Sequence, residues 1–263
     1  MTLFQAVVLG TVQGLTEFLP VSSSGHLILV PKLFGWETQN LAFDAIIHLA
    51  TLAAIVVAFF GEIKHITKGI WKKQDSWGRL GRLIIFSSLP VLVIGFFLSD
   101  VIETIFRSPA IVASSLAFWG VFLFIADRFV HQTAESDVTH VGWKRAFFIG
   151  SAQAIALVPG TSRSGVTITT GLFFGLDRKA AARFSFLLSI PAIAAAGASA
   201  LLHMAEGTVS LDFLPLTVGF ISAFISGFFA IRFLLRMLAF GTYKWFAFYR
   251  IILAVVVSIL FLR

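Results

Sequence analysis

The sequence predicts an all-α, polytopic membrane protein with six transmembrane helices and two re-entrant helical hairpins in an inverted-topology repeat. Three observations predict this class. Hydrophobic residues make up 58% of the 263 positions and charged residues only 13%, about half the share in an average soluble domain. Long apolar segments follow one another with short polar gaps between them. Two further apolar segments are interrupted in the same way, each by a proline beside small polar residues.

The net charge of +7 does not indicate nucleic-acid binding. The basic residues cluster in a few connecting segments, which is the distribution that the positive-inside rule describes for membrane proteins. The chain has no cysteine, and this excludes disulfides and thiolate metal sites. The expected environment is therefore a membrane, with no nucleic-acid partner.

Six segments are long enough to cross a hydrocarbon core of about 30 Å at about 1.5 Å per residue. They cover approximately residues 41–61, 83–99, 109–127, 180–203, 213–236 and 244–262. The two interrupted segments, 1–35 and 143–177, contain Pro20 and Pro159. Proline removes a backbone donor, and each half of an interrupted segment is too short to span the membrane.

The two interruptions resemble each other. Residues 13–25 read QGLTEFLPVSSSG and residues 153–165 read QAIALVPGTSRSG, with the same Gln-to-Gly spacing. We interpret this as a duplication within one membrane domain over 1–263, with repeats at about 1–128 and 143–263; the alternative is chance similarity between apolar segments. If each interrupted segment re-enters and returns, three spans separate the hairpins, and the two halves have opposite orientations.

Basic residues set the predicted orientation. The connection from Lys64 to Arg82, the segments that flank the second hairpin, and the connection between the last two spans are rich in Lys and Arg, so we expect them in the cytoplasm. The connection 100–108 has only Arg107, and 204–212 has neither Lys nor Arg. These two connections are expected to face outward. The first hairpin then enters from the outer side and the second from the cytoplasm.

Irregular backbone at membrane depth persists only where protein or a water-filled cavity satisfies its polar groups, so the two interruptions are expected to meet around a polar cavity. Glu17, His26 and Arg163 are the ionisable residues in them and are functional candidates for that reason. Serines before a new helix would cap it and leave free N–H groups for an anion. The polar neighbours are Gln13, Ser22, Ser23, Ser24, Thr161, Ser162, Ser164 and Thr167.

These side chains favour a phosphate ester or anhydride as the ligand, because Arg163 offers a planar fork for phosphate oxygens. Ser23 and His26 share a face if a helix begins at residue 23, and a serine whose proton a histidine accepts can attack phosphorus. Glu17 can act as a base, orient His26 or hold a divalent cation. The alternative is structural, since serine-rich turns beside a proline are common helix breaks.

Two features outside the interruptions have structural interpretations. Arg250 lies near one end of the last span and is expected to extend its side chain to the membrane surface. Asp44 and His48 form an i,i+4 pair near the outer end of the first span. We expect a structural or gating role for this pair.

Residues 13–26, QGLTEFLPVSSSGH, resemble the first signature of undecaprenyl-diphosphate phosphatases of the bacitracin-resistance type, and residues 159–165, PGTSRSG, resemble the second. The resemblance covers essentially the whole chain. It implies a hydrolase of the bacterial inner membrane that removes the terminal phosphate from a C55 polyprenyl diphosphate, with a site facing the periplasm. This activity regenerates the lipid carrier for cell-wall synthesis and confers bacitracin resistance.

The resemblance also implies residue roles. The catalytic set would be Glu17, Ser23, His26 and Arg163, with Ser23 as nucleophile and His26 as acid/base or as an alternative nucleophile. The substrate-binding set would be Gln13, Ser22, Ser24, Ser162, Ser164 and Thr167. A divalent cation, Mg²⁺ or Ca²⁺, is implied with Glu17 as its main protein ligand, because Gln13 stands where many members have Glu and cannot ionise.

A homodimer is compatible with these features. The alternative from another functional class is a polyprenyl-phosphate transporter or flippase, because inverted repeats with broken helices are also a transporter architecture. The Ser23, His26 and Glu17 set favours an enzyme, since a carrier needs no nucleophile.

Overall fold

The regular secondary structure of the described residues is helical, apart from one isolated β-bridge between Glu135 and Leu176. The structure is a computed structural model, and it describes residues 1–37, 41–105, 108–130, 134–206 and 212–261. The helices in these ranges are α1 (Leu3–Phe18), α2 (Ser23–Phe34), α3 (Leu41–Ala58), α4 (Phe60–Gly69), α5 (Ser76–Ile105), α6 (Pro109–Arg128), α7 (Trp143–Gln153), α8 (Arg163–Phe173), α9 (Arg178–Glu206), α10 (Phe213–Met237) and α11 (Lys244–Phe261). Two short 3₁₀ helices cover Val138–His140 and Ala154–Leu157.

Five of these helices are long and apolar enough to cross a membrane by themselves. They are Ser76–Leu98, Pro109–Arg128, Arg178–Leu202, Phe213–Met237 and Lys244–Phe261. They coincide with the last five predicted spans. Only 28–39% of each span is buried inside the protein, and large apolar side chains such as Phe97 and Phe229 cover much of the remainder. An apolar surface of this extent requires lipid as its solvent, so the chain is a multi-pass membrane protein.

The first predicted span, 41–61, differs from the prediction because it does not continue as one straight helix. α3 ends at Ala58, and α4 leaves it at an angle of 79°. α4 is amphipathic: Ile63 and Ile66 pack against the core, while Lys64 and Lys68 are exposed. The basic connection predicted from Lys64 to Arg82 is therefore largely helical, because α5 already begins at Ser76.

Both predicted interruptions are confirmed as breaks between two helices. α1 ends at Phe18 and α2 begins at Ser23, with Pro20 between them. α7 continues into the 3₁₀ turn Ala154–Leu157, and Pro159 precedes the start of α8 at Arg163. In each case proline cannot continue the preceding helix.

The helices pack in matched pairs. α1 lies along α10, α7 lies along α5, and α6 lies along α11, while α3 packs between α9 and α10.

The expected outward connections 100–108 and 204–212 fall partly outside the described residues, and Arg107 is one of the residues outside them.

Glycines make the contact between α1 and α10 a close one. A Cβ added at Gly10 would overlap the backbone of Gly219, and one added at Gly14 would overlap Ser226 Oγ and the Ala223 carbonyl group. Small residues that let two helix backbones approach are the usual device for helix association in membranes, where dispersion contacts replace the hydrophobic effect. This crossing sets the position of the half of α1 that carries the polar residues.

We predict that Gly14→Ala destabilises the protein, because the added methyl group must push α1 away from α10. Overpacking of this kind costs about 1–3 kcal/mol, which should lower the thermal unfolding midpoint of the purified protein in detergent by several degrees. Gly61→Ala in α4 is the matched control: a Cβ there meets nothing within 4 Å, and alanine is the better helix former. An unchanged midpoint for Gly14→Ala would contradict the close α1–α10 contact.

Candidate active site

The two interruptions meet and hydrogen-bond to each other. The Gly160 N–H donates to Ser24 Oγ at 3.4 Å, and Ser164 Oγ donates to the Leu19 carbonyl oxygen at 3.0 Å. The ends of four helices, two from each interrupted segment, are thereby brought together. The expected convergence of the interruptions is thus found in the structure.

Glu17 lies at the centre of this region. Its Oε1 accepts a hydrogen bond from Arg163 Nη2 at 2.9 Å. Its Oε2 accepts from Ser23 Oγ at 2.8 Å and from Gln13 Nε2 at 3.0 Å. Arg163 Nη1 also donates to the Ser185 carbonyl oxygen at 3.3 Å. The buried carboxylate therefore joins one cation and two neutral donors, and removing either charged partner would leave an uncompensated buried charge.

Two serines cap the helices that begin at the interruptions. Ser22 Oγ accepts from the Gly25 N–H and Ser162 Oγ accepts from the Gly165 N–H, as expected for N-cap residues. Both serines have positive φ, 75° and 70° respectively, a conformation that is uncommon outside glycine and is found at functional sites. The matching geometry places equivalent residues at the start of α2 and α8.

The first turns of α2 and α8 offer backbone donors to an anion. Within the described chain, no acceptor is found for the backbone N–H groups of Ser23, Ser24, Arg163 and Ser164. Such N–H groups and the positive end of the helix dipole favour phosphate. Ser24 is exposed and Ser23 is half-buried, so this donor set is open on the α2 side.

His26 has a different partner from the one predicted. Its Nδ1 lies 2.7 Å from the Ser22 carbonyl oxygen, and its Nε2 lies 2.6 Å from the hydroxyl oxygen of Tyr249. A carbonyl oxygen can only accept, so Nδ1 carries the proton and the Tyr249 hydroxyl donates to Nε2. The expected Ser23–His26 pair is absent among the described hydrogen bonds, because Ser23 is bonded to Glu17 instead.

Most of the predicted substrate-binding side chains bond to protein groups. Thr167 Oγ1 contacts the Arg163 carbonyl oxygen at 2.8 Å and Ser185 Oγ at 2.7 Å, so it supports the position of Arg163 from a fully buried site. Gln13 bonds to Glu17, and Ser22 and Ser162 are caps. Of the hydroxyls assigned to the substrate, Ser24 is the exposed one.

His48, for which the sequence predicts a structural or gating role together with Asp44, lies beside the site. Its Nε2 is 3.9 Å from Glu17 Oε2, and its Nδ1 is 2.7 Å from the Asp44 carbonyl oxygen. α3 thus brings a second titratable side chain to Glu17, besides Arg163. The i,i+4 spacing of Asp44 and His48 therefore serves a backbone hydrogen bond that orients the imidazole.

The prediction that Arg250 extends its side chain to the membrane surface is wrong, because this side chain is fully buried. The guanidinium group donates to backbone carbonyl oxygens of both interruptions and of α6, those of Pro20, Gly160, Thr161, Leu116 and Ser115. The neighbouring Tyr249 holds His26. Sequence reasoning missed both residues as parts of the site. The available signal was an arginine beside a tyrosine within an apolar span, because ionisable residues in such spans are usually functional.

The described residues offer a divalent cation few ligands around Glu17. No group of three or more His, Asp or Glu side chains in the described ranges is arranged to hold a metal. Both carboxylate oxygens of Glu17 already accept hydrogen bonds, and the Arg163 guanidinium at 2.9 Å would repel a cation placed there. This donor set fits an anion better than a metal held by protein ligands alone.

Comparison with known proteins gives a consistent result along the whole chain. The family model for bacitracin resistance protein BacA matches residues 6–256. "Undecaprenyl-diphosphatase 2" of Stutzerimonas stutzeri is 43% identical over 99% of this chain and 99% of its own length. The "Undecaprenyl-diphosphatase" of Idiomarina loihiensis is 40% identical over 99% and 100%, and that of Moorella thermoacetica is 42% identical over 100% of each.

We predict a measurable energetic coupling between His26 and Tyr249. The Tyr249→Phe and His26→Ala variants should each destabilise the protein, and the double variant should lose about 0.5–3 kcal/mol less than the sum, as for residues in direct contact. Denaturant unfolding in detergent measures the cycle. Tyr249→Phe combined with Gly61→Ala is the control pair and should be additive; additivity for Tyr249 with His26 would contradict the hydrogen bond.

Proposed function

We propose that this chain, which belongs to the bacitracin resistance protein family, is an undecaprenyl-diphosphatase that hydrolyses undecaprenyl diphosphate to undecaprenyl phosphate and inorganic phosphate. This reaction recycles the lipid carrier for cell-wall synthesis and confers bacitracin resistance. The observation that carries the proposal is the convergence of Ser23 and Arg163 on Glu17 at the start of two helices. It supplies a nucleophile, a base and an anion site within one cluster.

The diphosphate is held by backbone and side-chain donors. The free N–H groups at the start of α2 and α8 bind phosphate oxygens, and the Arg163 guanidinium stabilises the charge that develops during transfer. Large exposed apolar side chains cover the outer surface of the spans, so the prenyl chain remains in lipid while its headgroup enters between the helices.

Ser23 is the proposed nucleophile and Glu17 its base. Ser23 Oγ attacks the terminal phosphorus while its proton passes to Glu17 Oε2, which lies 2.8 Å away. The bond between the terminal phosphorus and the bridging oxygen breaks, and undecaprenyl phosphate leaves. Glu17 passes its proton to the departing phosphate. Water then attacks the phosphoserine: its oxygen bonds to phosphorus, the bond between phosphorus and Ser23 Oγ breaks, and Glu17 transfers the water proton to Ser23 Oγ, which releases inorganic phosphate and restores the Ser23 hydroxyl.

His26 receives a supporting role in this proposal. Its hydrogen bonds to the Ser22 carbonyl group and to Tyr249 fix its ring next to the N-cap of α2. The alternative in which His26 is the nucleophile requires its Nε2 to break the 2.6 Å contact with the Tyr249 hydroxyl. Ser23 needs no such rearrangement, since its donor–acceptor pair with Glu17 is already in place.

The divalent cation expected from the family resemblance is assigned to the substrate rather than to the protein. Glu17 is saturated by hydrogen-bond donors and adjoins Arg163. Any Mg²⁺ or Ca²⁺ would therefore enter bound to diphosphate oxygens, and no step of the mechanism above depends on it.

We also propose the inverted-topology repeat, with re-entrant hairpins at 1–35 and 143–177 and repeats at about 1–128 and 143–263. The pairing of α1 with α10 and of α7 with α5 supports a two-fold relation, and so does the shared geometry of Ser22 and Ser162. With the basic connections in the cytoplasm of a bacterial inner membrane, the site faces the periplasm. The homodimer remains a prediction.

We expect phosphate release from undecaprenyl diphosphate by the purified protein in detergent, and its loss in three variants. Glu17→Gln removes the base and should lower kcat about 10²–10⁴-fold. Ser23→Ala removes the nucleophile, and Arg163→Ala removes the phosphate-binding cation; both should reduce the rate at least as strongly. Glu62→Gln and Ser258→Ala, which change the same residue types outside the site, should leave the rate near wild type.

Detergent has no two sides, so phosphate release in it separates hydrolysis from transport. Retained activity in Ser23→Ala with loss in His26→Ala would transfer the nucleophile to His26. Binding of polyprenyl phosphate without phosphate release by folded wild type would favour the transporter alternative. Because no proposed step uses a cation, a chelator should leave the rate near that of the untreated enzyme. A loss of activity that added Mg²⁺ or Ca²⁺ restores would contradict this expectation.

The predicted orientation gives a second expected outcome. Because the chain has no cysteine, a single introduced cysteine reports its own location. In whole cells a membrane-impermeant maleimide should modify Glu37→Cys, an exposed position after α2, but not Phe240→Cys, which is 99% exposed between α10 and α11. Phe240→Cys should react only after the inner membrane is opened. The reverse pattern would overturn the assignment of the site to the periplasm.

A further inference from the structure

A single buried arginine connects the two interruptions. Arg250 Nη2 donates to the carbonyl oxygens of Gly160 at 3.0 Å and Thr161 at 2.8 Å, and Nη1 donates to that of Pro20 at 3.3 Å. The guanidinium also reaches α6, through Nε to the Leu116 carbonyl oxygen at 3.3 Å. One side chain on α11 is therefore bonded to both halves of the protein.

The two bonded loops are contacted at equivalent positions. Pro20 stands two residues before the N-cap Ser22, and Gly160 stands two residues before the N-cap Ser162. Arg250 thus lies where the two similar loops face each other, and its planar fork spans them. A lysine ammonium at the same place would be a point donor that cannot reach both loops with the same geometry.

The charge of Arg250 has no acidic partner within ion-pair distance among the described residues. Burying a cation without a counter-charge is costly, and the carbonyl oxygens offset this only in part. We therefore expect a buried, unpaired cation at this place to have a role beyond packing. That role concerns the two loops, because their carbonyl groups accept its hydrogen bonds.

The bonded loops determine where the reacting groups lie. Ser23 is the first residue of α2 and Arg163 the first residue of α8, and both bond to Glu17. Arg250 binds carbonyl groups of Pro20, Gly160 and Thr161, so the N–H groups of Ser23, Ser24, Arg163 and Ser164 are not among its hydrogen-bond partners. A shift of either loop would move Ser23 or Arg163 relative to Glu17.

We propose that Arg250 is a positioning residue for phosphate release: it holds the two interruptions in register, so that Ser23 and Arg163 converge on Glu17, without contacting the substrate. This inference rests on the proposed function, whose test on the wild-type enzyme comes first. Misplacement of reacting groups by about 1 Å reduces rates about 100-fold. Loss of Arg250 should therefore lower kcat much more strongly than it weakens substrate binding.

The experiment compares wild type, Arg250→Lys and Arg250→Gln with Arg232→Lys, an exposed control on α10. Phosphate release from undecaprenyl diphosphate is measured with the full chain in detergent, well below each unfolding midpoint. We expect Arg250→Lys, which keeps the charge, to lose about 100-fold in kcat with KM within about threefold of wild type. Should Arg250→Lys fail to fold, Arg250→Gln is judged by the same criteria.

A second readout does not depend on activity. Spin labels on Leu33→Cys and Phe173→Cys, at the ends of α2 and α8 and both exposed, report the distance between the two hairpins in a chain with no other cysteine. Arg250→Lys should broaden or shift that distance distribution, and Arg232→Lys should not. Unchanged kcat in folded Arg250→Lys, a rise in KM alone, or an unchanged distance distribution would each overturn the proposal. An inactive wild type with the expected distance change would instead count against the proposed function alone.

Discussion

The structure depends on one constraint: two stretches of non-helical backbone lie among apolar helices, whose hydrophobic side chains offer no partners to backbone polar groups. In lipid every unpaired backbone group is costly, so such stretches must be satisfied by protein or line a cavity. Here Arg250 donates hydrogen bonds to carbonyl groups of both loops. The loops bond to each other through the hydroxyl groups of Ser24 and Ser164. The hydroxyl groups of Ser22 and Ser162 accept from backbone N–H groups in the first turns of α2 and α8. In the described chain, the N–H groups of Ser23, Ser24, Arg163 and Ser164 at the start of α2 and α8 have no acceptor, and a phosphate could use them.

Charge balance explains why an anion suits this place. The Glu17 carboxylate and the Arg163 guanidinium neutralise each other, while Arg250 adds a positive charge without an acidic partner in the described chain. Two helix N-termini add further positive potential. A diphosphate headgroup would offset this excess, whereas a cation held by the protein alone would increase it. The Glu17 carboxylate also accepts a hydrogen bond from the Ser23 hydroxyl at 2.8 Å. A general base requires such a contact with the proton that it removes.

Helix packing carries these groups into register. Glu17 lies one turn beyond Gln13 on α1, and the glycine contacts of α1 with α10 leave that helix little room to slide. α3 supplies His48, α9 supplies the Ser185 carbonyl group that holds Arg163, and α11 supplies Tyr249 and Arg250. Chemistry proposed for two short motifs is thus positioned by five helices. Substitutions far from Glu17 are therefore expected to reach the site through packing.

Hydropathy and breaker residues by themselves determined the membrane class, five spans to within a few residues at most ends, and both helix breaks. These features depend on local composition, which a sequence displays directly. The catalytic roles of Glu17, Ser23, His26 and Arg163 stay a prediction. Only the tertiary structure decided the bend between α3 and α4, the pairing of Ser23 with Glu17 instead of His26, and the burial of Arg250. Arg250 bonds to Pro20 across 230 positions of sequence, and its surroundings exist only once α11, α6 and both loops have packed together. A span pattern records how apolar a segment is, but it does not record which face meets protein and which meets lipid.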